Sequence, residues 1–213
     1  MATQAAEVKG GGAKFDRDKF LVNQRRMSFK EKYYVYDESG GELFYVERPF
    51  RFLGKRTVTI YEDDAGREAV LKLTQEHYWE IWRREYMVET PDGQLVARLS
   101  RNNVQSLFRR GWKIAGPDGT PIAKVQEDSV PLAIIRRVVD WIPFVALAGL
   151  LIKTDFDFIG TGAPGNERKL GSFNRKVSMF DKYVLDMSPD PERVIDRRVA
   201  LAAGVLLDTA EKR

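Results

Sequence analysis

The stretch Tyr33-Tyr34-Val35-Tyr36-Asp37-Glu38-Ser39-Gly40-Gly41-Glu42-Leu43-Phe44-Tyr45-Val46 reads as two strands joined by a tight acidic turn. Aromatic and β-branched residues suit a pleated, half-buried surface, and Asp and Gly supply the backbone angles that a short hairpin needs. The unit recurs. Turn glycines fall at Gly40, Gly66, Gly93 and Gly119, spaced 26, 27 and 26 residues apart, in the turns Asp63-Asp64-Ala65-Gly66, Pro91-Asp92-Gly93 and Pro117-Asp118-Gly119. The flanks repeat as well: Thr57–Tyr61 with Ala69–Leu73, Tyr86–Val88 with Leu95–Leu99, and Trp112–Ile114 with Ile122–Val125. A fixed period of this length marks one supersecondary unit used several times.

The last part of the chain echoes the first. Gln24-Arg25-Arg26-Met27-Ser28 corresponds to Asn174-Arg175-Lys176-Val177-Ser178, and Glu31-Lys32-Tyr33 to Asp181-Lys182-Tyr183. A sheet whose end resembles its beginning can close on itself and lose its exposed edges. With one strand near Leu21, eight in the hairpins and three between Asp155 and Asp186, the expectation is an antiparallel barrel of about twelve strands. Ser188-Pro189-Asp190-Pro191 then reads as a stop followed by a helix over 191–208, with Asp190 as N-cap and Pro191 at its first position. Val199–Leu207 is apolar on every side, so this helix should be buried, inside the barrel. The expected class is all-β with one buried helix, in a single domain over 19–213 behind a disordered leader at 1–18.

Residues 129–154 interrupt the pattern. Pro131–Trp141 has helical periodicity, and Phe144–Ile152 is apolar. The twelve-residue run Trp141–Ile152 falls short of the ~20 residues needed to span a bilayer. The insertion either covers one barrel end or contacts a membrane or a second copy, through Leu132, Ile135, Trp141, Ile142, Phe144, Leu147 and Leu150.

Composition removes several chemistries. There is no Cys and one His, His77, which rules out thiolate zinc sites, cysteine nucleophiles and multi-histidine metal centres. The net charge of +4 neither demands nor excludes an anionic partner. Gly160-Thr161-Gly162-Ala163-Pro164-Gly165 lacks the Lys-Ser/Thr of a phosphate loop and reads as a hairpin loop. The turn acids are explained by turn chemistry. No constellation supports an enzyme, a metal or a cofactor.

The opening Phe20-Leu21-Val22-Asn23-Gln24, the hairpin Tyr33…Gly40, the repeated acidic turns and the Ala/Leu/Val-rich final helix together resemble the tubby C-terminal-like superfamily, in its branch of LURP-one-related proteins and phospholipid scramblases. That resemblance implies a twelve-stranded barrel around a central hydrophobic helix. Tubby-type members bind phosphoinositides, scramblase-type members move lipid under calcium control, and LURP-one-related members mostly lack a settled biochemistry. The acidic calcium segment that scramblases carry before the final helix is replaced here by Asp186-Met187-Ser188-Pro189-Asp190-Pro191, with two prolines and few ligands.

A basic residue lies ten positions before each turn glycine: Lys30, Arg56, Arg83 and Arg109. The pairs Lys55-Arg56, Arg83-Arg84 and Arg109-Arg110 therefore hold equivalent places and are candidates for an anion-binding surface; the alternative is that they are solvated strand ends paired with nearby Glu. Phe29, Trp82 and Phe108 precede them, but the small net charge and the absence of an RNA-binding signature speak against nucleic acid. The expected function is a non-enzymatic binding module for anionic phospholipid or a protein partner, cytoplasmic and peripheral at the inner membrane face. Two alternatives stay open, a lipid-moving protein of scramblase type and a structural protein without a small ligand.

Overall fold

The computed structural model describes residues 12–27, 30–48, 57–65, 67–76, 83–102, 111–127, 155–162, 167–176 and 182–211. After a one-turn helix α1 (Gly12–Phe15) come β1 (Lys19–Met27), β2 (Lys30–Tyr36), β3 (Glu42–Arg48), β4 (Thr57–Tyr61), β5 (Ala69–Gln75), β6 (Arg83–Glu89), β7 (Leu95–Asn102), β8 (Gly111–Ala115), β9 (Pro121–Glu127), β10 (Asp155–Gly160), β11 (Lys169–Lys176) and β12 (Lys182–Asp186), then helix α2 (Arg197–Glu211). The twelve strands form one closed antiparallel barrel in which each strand pairs with its sequence neighbours. Closure is made by β1 on β12, with Lys19 opposite Asp186 and Asn23 opposite Lys182. The two segments whose sequences echo each other thus lie side by side.

The acidic turns explain the hairpins. In three of them the backbone closes identically: Asp37 N donates to Gly41 O at 2.9 Å, Thr90 N to Gln94 O at 2.9 Å, and Gly116 N to Thr120 O at 2.9 Å. The left-handed position is Gly40, Gly93 or Gly119, with φ of 88°, 89° and 85°, and the register shifts by one residue beside each turn, the mark of a three-residue loop with a glycine bulge. In the second hairpin the left-handed residue described is Arg67, φ 50°. Asp37 Oδ1 accepts from Ser39 N at 3.0 Å and Gly41 N at 2.8 Å. Asp118 accepts from the backbone and hydroxyl of Thr120 at 3.0 and 2.7 Å.

These bonds hold the Asp37, Asp92 and Asp118 carboxyls below their ordinary value of 3.8: by the Ser39 hydroxyl first for Asp37, the Thr90 side chain for Asp92 and the Thr120 backbone for Asp118. Because the folded values are depressed, the stabilisation is present above the unfolded value and is lost as pH falls through the folded ones. A variant with all three changed to Asn should show a shallower loss of stability below pH 3.8 than the wild type; parallel acid limbs in pH-dependent melting would contradict this account.

Inward residues alternate along each strand. Phe20, Val22, Tyr33, Val35, Ile60, Leu73, Val88, Leu99, Ile114, Phe158 and Leu185 are all fully or almost fully buried, and they surround α2, in which Val199 to Leu207 is buried without a break. A helix apolar on every side fits only where it is enclosed on every side. Gly204 is the close approach: a Cβ there would lie 3.0 Å from Phe173 Cε2.

Two expectations need correction. The helix begins at Arg197, six residues later than the expected Pro191. Asp190 caps an irregular turn instead, its carboxylate accepting from Val194 N and Ile195 N at 3.0 Å each. The helix N-cap is Asp196, whose Oδ1 accepts from Arg198 N at 2.8 Å. The prolines at 189 and 191 favour turns here, and the chain needs those residues to swing from β12 to the barrel axis. The second correction concerns the leader. Residues 1–11 lie outside the described residues, but Phe15 is 5% exposed and stacks on Phe44 with ring centroids 4.3 Å apart. The apolar ring closes the core at the end where β1 starts, so the domain extends upstream of residue 19.

Candidate functional site

Antiparallel topology gives the barrel two unlike ends. The hairpin turns at 37–41, 62–68, 90–94 and 116–120 share one end with the start of α2. The other connections, β1 to β2, β3 to β4, β5 to β6, β7 to β8, β9 to β10 and β11 to β12, share the opposite end, towards which α2 runs. We call this the connection end. The hairpin end carries the turn acids. At the connection end β1 finishes on Arg25-Arg26-Met27, β2 opens on Lys30, β6 opens on Arg83-Arg84, β11 finishes on Arg175-Lys176 and β12 opens on Lys182. Charge is therefore segregated along the barrel axis, although the net charge is small.

Of the basic residues expected from sequence, Arg83 and Arg84 are described. Arg83 stands opposite Asn102 and Arg84 opposite Arg101. They occupy different faces. Arg84 shares the row of buried Tyr86 and Val88, the inner face, and Arg83 holds the outer register. Neighbouring positions of a strand alternate between faces, so of the pair Arg84 takes the inner register. Lys55, Arg56, Arg109 and Arg110 lie outside the described residues; Arg56 and Arg110 immediately precede Thr57 and Gly111, which open β4 and β8 at the same end. The whole insertion 129–154 also lies outside them, with Leu132, Ile135, Trp141, Ile142, Phe144, Leu147 and Leu150, as does His77.

Several features escaped the sequence reading. The inner face turns polar toward the connection end: Gln24, Gln75, Glu127 and Asp208 are buried. Gln24 Nε2 donates to Tyr33 Oη at 3.2 Å, and that hydroxyl donates to Asp208 Oδ2 at 2.8 Å. The barrel exterior carries a tyrosine cluster. Tyr34 and Tyr45 ring centroids are 5.4 Å apart, Tyr45 and Tyr61 6.0 Å. The Tyr45 hydroxyl donates to Glu47 Oε2 at 3.0 Å, and Lys32 Nζ lies 5.5 Å from the Tyr45 ring centre. Burial, then the Glu47 carboxylate, pushes the Tyr45 phenol well above its ordinary value, so it stays a neutral donor. The run Tyr33-Tyr34-Val35-Tyr36 was the available signal, but alternation alone does not say that Tyr45, on the outer register, is itself buried.

At the hairpin end a cleft of about 260 Å³ is lined by Arg17, Asp18, Lys19, Glu38 and Ser188. Its charges satisfy one another, Lys19 with Glu38 at 3.2 Å and Asp18 with Arg197 at 2.7 Å, which makes it a structural feature. The loop after β10 is structural too: Thr161 Oγ1 donates to Pro121 O and Ile122 O at 3.0 and 2.9 Å. Among the described residues no three His, Cys, Asp or Glu gather as a metal site, and no helix is long and apolar enough to cross a membrane.

No curated protein matches the chain. A family model does match, over residues 18–107, the segment that builds β1 to β7. The opening strand, the first three acidic hairpins and the closed twelve-strand barrel agree on one family likeness: residues 18–107 match the LURP-one-related family, part of the tubby-like C-terminal superfamily.

Proposed function

We propose that this chain is a binding domain without catalytic chemistry of its own, which docks the connection end of its barrel on an anionic phospholipid surface. The LURP-one-related match supports a tubby-like domain that binds lipid or protein. The observation that carries the finer reading is the segregation of charge: basic strand ends gather at the connection end and turn acids at the other. Such a molecule orients in the field of an anionic surface, basic end first, and each basic residue near that surface contributes about 1 kcal/mol. The candidates Lys55, Arg56, Arg109 and Arg110 adjoin strands that start at this end. A protein partner with an acidic face is the alternative, as is scramblase-type lipid movement.

The test is co-sedimentation with phosphatidylserine vesicles, using phosphatidylcholine vesicles as control. Reversing the strand-end residues Arg25, Arg83 and Lys182 to Glu is expected to lower vesicle binding by more than tenfold, on the order of 1 kcal/mol per charge removed, and salt should release the wild type. Undiminished binding of the triple variant, or equal binding to phosphatidylcholine, would remove the lipid reading.

A further inference from the structure

We infer that the hairpin end is a docking surface for a second copy of this chain, met by that copy's connection end, so that barrels stack end to end. The hairpin end carries acids in excess. Basic residues there are engaged locally: Lys14 with Glu62 and Lys19 with Glu38 at 3.2 Å, Arg17 with Asp37 at 3.4 Å, and Arg168 with Glu192 at 3.3 Å. Glu42, Glu68, Asp92 and Asp118 are exposed at the same end and make no ion pair among the described residues. Asp92 and Asp118 stand within the turns 90–94 and 116–120, at the hairpin tips. The connection end carries the opposite excess. Lys182 is exposed at the start of β12 and lies opposite Lys176 on the β11–β12 ladder. The segments that join β3 to β4 and β7 to β8 at this end, 49–56 and 103–110, hold Arg51, Lys55, Arg56, Arg109 and Arg110 and no acid.

Distance keeps the two ends independent. Helix α2 runs from one towards the other, and its 15 residues span about 22 Å. The Debye length is about 8 Å at physiological salt. Solvent therefore screens the ends of one molecule from each other, and neither cancels the charge of the other. A second copy brings unlike ends into contact range, where they attract. Two hairpin ends brought together repel, as do two connection ends, which disfavours a symmetric end-on dimer. A contact between unlike faces of identical copies is heterologous and leaves one face of each kind free, so it continues as an open stack. Exposed ion pairs are individually weak, so the stack is sensitive to salt. The connection end is also the surface proposed above for lipid, and an anionic membrane competes with the second copy for it.

The test is sedimentation velocity on the full chain across a series of protein concentrations. In about 10 mM salt, where the Debye length is about 30 Å, the wild type should grow with concentration through a dimer to larger species. In about 1 M salt, where that length is about 3 Å, it should be monomeric. Glu42→Lys, Glu68→Lys and Asp92→Lys combined should weaken self-association by about tenfold or more, because like charges then meet. Arg25→Glu, Arg83→Glu and Lys182→Glu combined should do the same from the other end. Mixing the two triple variants sets the unaltered basic end of the first against the unaltered acidic end of the second, and assembly should return. Melting curves confirm that each variant is folded, and Glu68→Lys with Asp92→Lys suffices if the first triple variant is not. A wild type that stays monomeric in low salt, a species that stops at a dimer, or a mixture that does not assemble overturns the stack. The hairpin-end variant should sediment with phosphatidylserine vesicles as well as the wild type does, so failure of self-association and failure of the lipid reading are told apart.

Discussion

Replacing Arg197 with methionine is expected to destabilise the barrel by about 3–5 kcal/mol, the usual cost of removing one partner from a buried ion pair. Arg197 is the first residue of α2 and is 3% exposed. A cation there opposes the helix dipole, so its surroundings must more than compensate. They do so with a full set of acceptors: Asp190 Oδ2 at 3.0 Å, Asp190 O at 2.6 Å, Asp18 Oδ1 at 2.7 and 3.0 Å, Ile195 O at 3.0 Å and Met187 O at 3.3 Å. One side chain therefore ties together the segment before β1, the turn after β12 and the start of the central helix. Methionine would keep much of the apolar stem and leave the Asp190 carboxylate, 0% exposed, without that guanidinium. The check is urea unfolding of Arg197→Met, Asp190→Asn and the double variant. A loss below about 1 kcal/mol, the level of an exposed ion pair, would show that the network is not under strain of burial. The double variant should lose less than the sum of the two single ones, because each single change strands the other group.

Phe173→Ala is expected to cost a similar amount, about 3–5 kcal/mol, by opening a cavity at the helix–barrel contact. Phe173 is 1% exposed and lies parallel to Tyr183, with centroids 4.9 Å apart and an interplanar angle of 4°. Its other neighbour is Gly204, where an added Cβ would meet Cε2 at 3.0 Å. Gly204→Leu alone should therefore destabilise, by about 1–3 kcal/mol of overpacking, despite the better helix propensity of leucine. Combined with Phe173→Ala it should recover part of the loss, because the new side chain enters the vacated space. Thermal melts of the four proteins decide this. Strictly additive effects would mean that Phe173 and Gly204 do not share a packed contact.

Much of the barrel was legible because hairpin chemistry is local. Asp37, Thr90 and Asp118 close their turns with atoms at most four residues away, and Gly40, Gly93 and Gly119 take a backbone angle that few other residues tolerate. Such requirements leave their mark in contiguous sequence. The buried helix was legible for a related reason: an apolar surface on every side of Val199–Leu207 has no stable place outside a core. Its starting point was not, because Asp190-Pro191 satisfies the local rules for a helix start. What displaces it is Arg197, which holds Asp18 from 179 residues away. Phe15 was read as part of a leader since nothing near it in sequence announces Phe44.

The candidate site divides the same way. Basic residues recurring at a fixed distance before each turn were visible in the sequence, and strand periodicity puts them at one end of any antiparallel barrel. Which of Arg83 and Arg84 faces inward was settled by the register against Tyr86 and Val88. The opposition of Arg84 to Arg101 comes from pairing between strands, which no stretch of sequence contains. Sequence by itself determined the turns, the alternation and the apolar helix, since each depends on residues within a few positions. Only the tertiary structure decided where the helix begins, that Arg84 takes the inner register opposite Arg101 and that Phe15 caps the core, because those depend on strand register and on contacts between residues far apart in the chain.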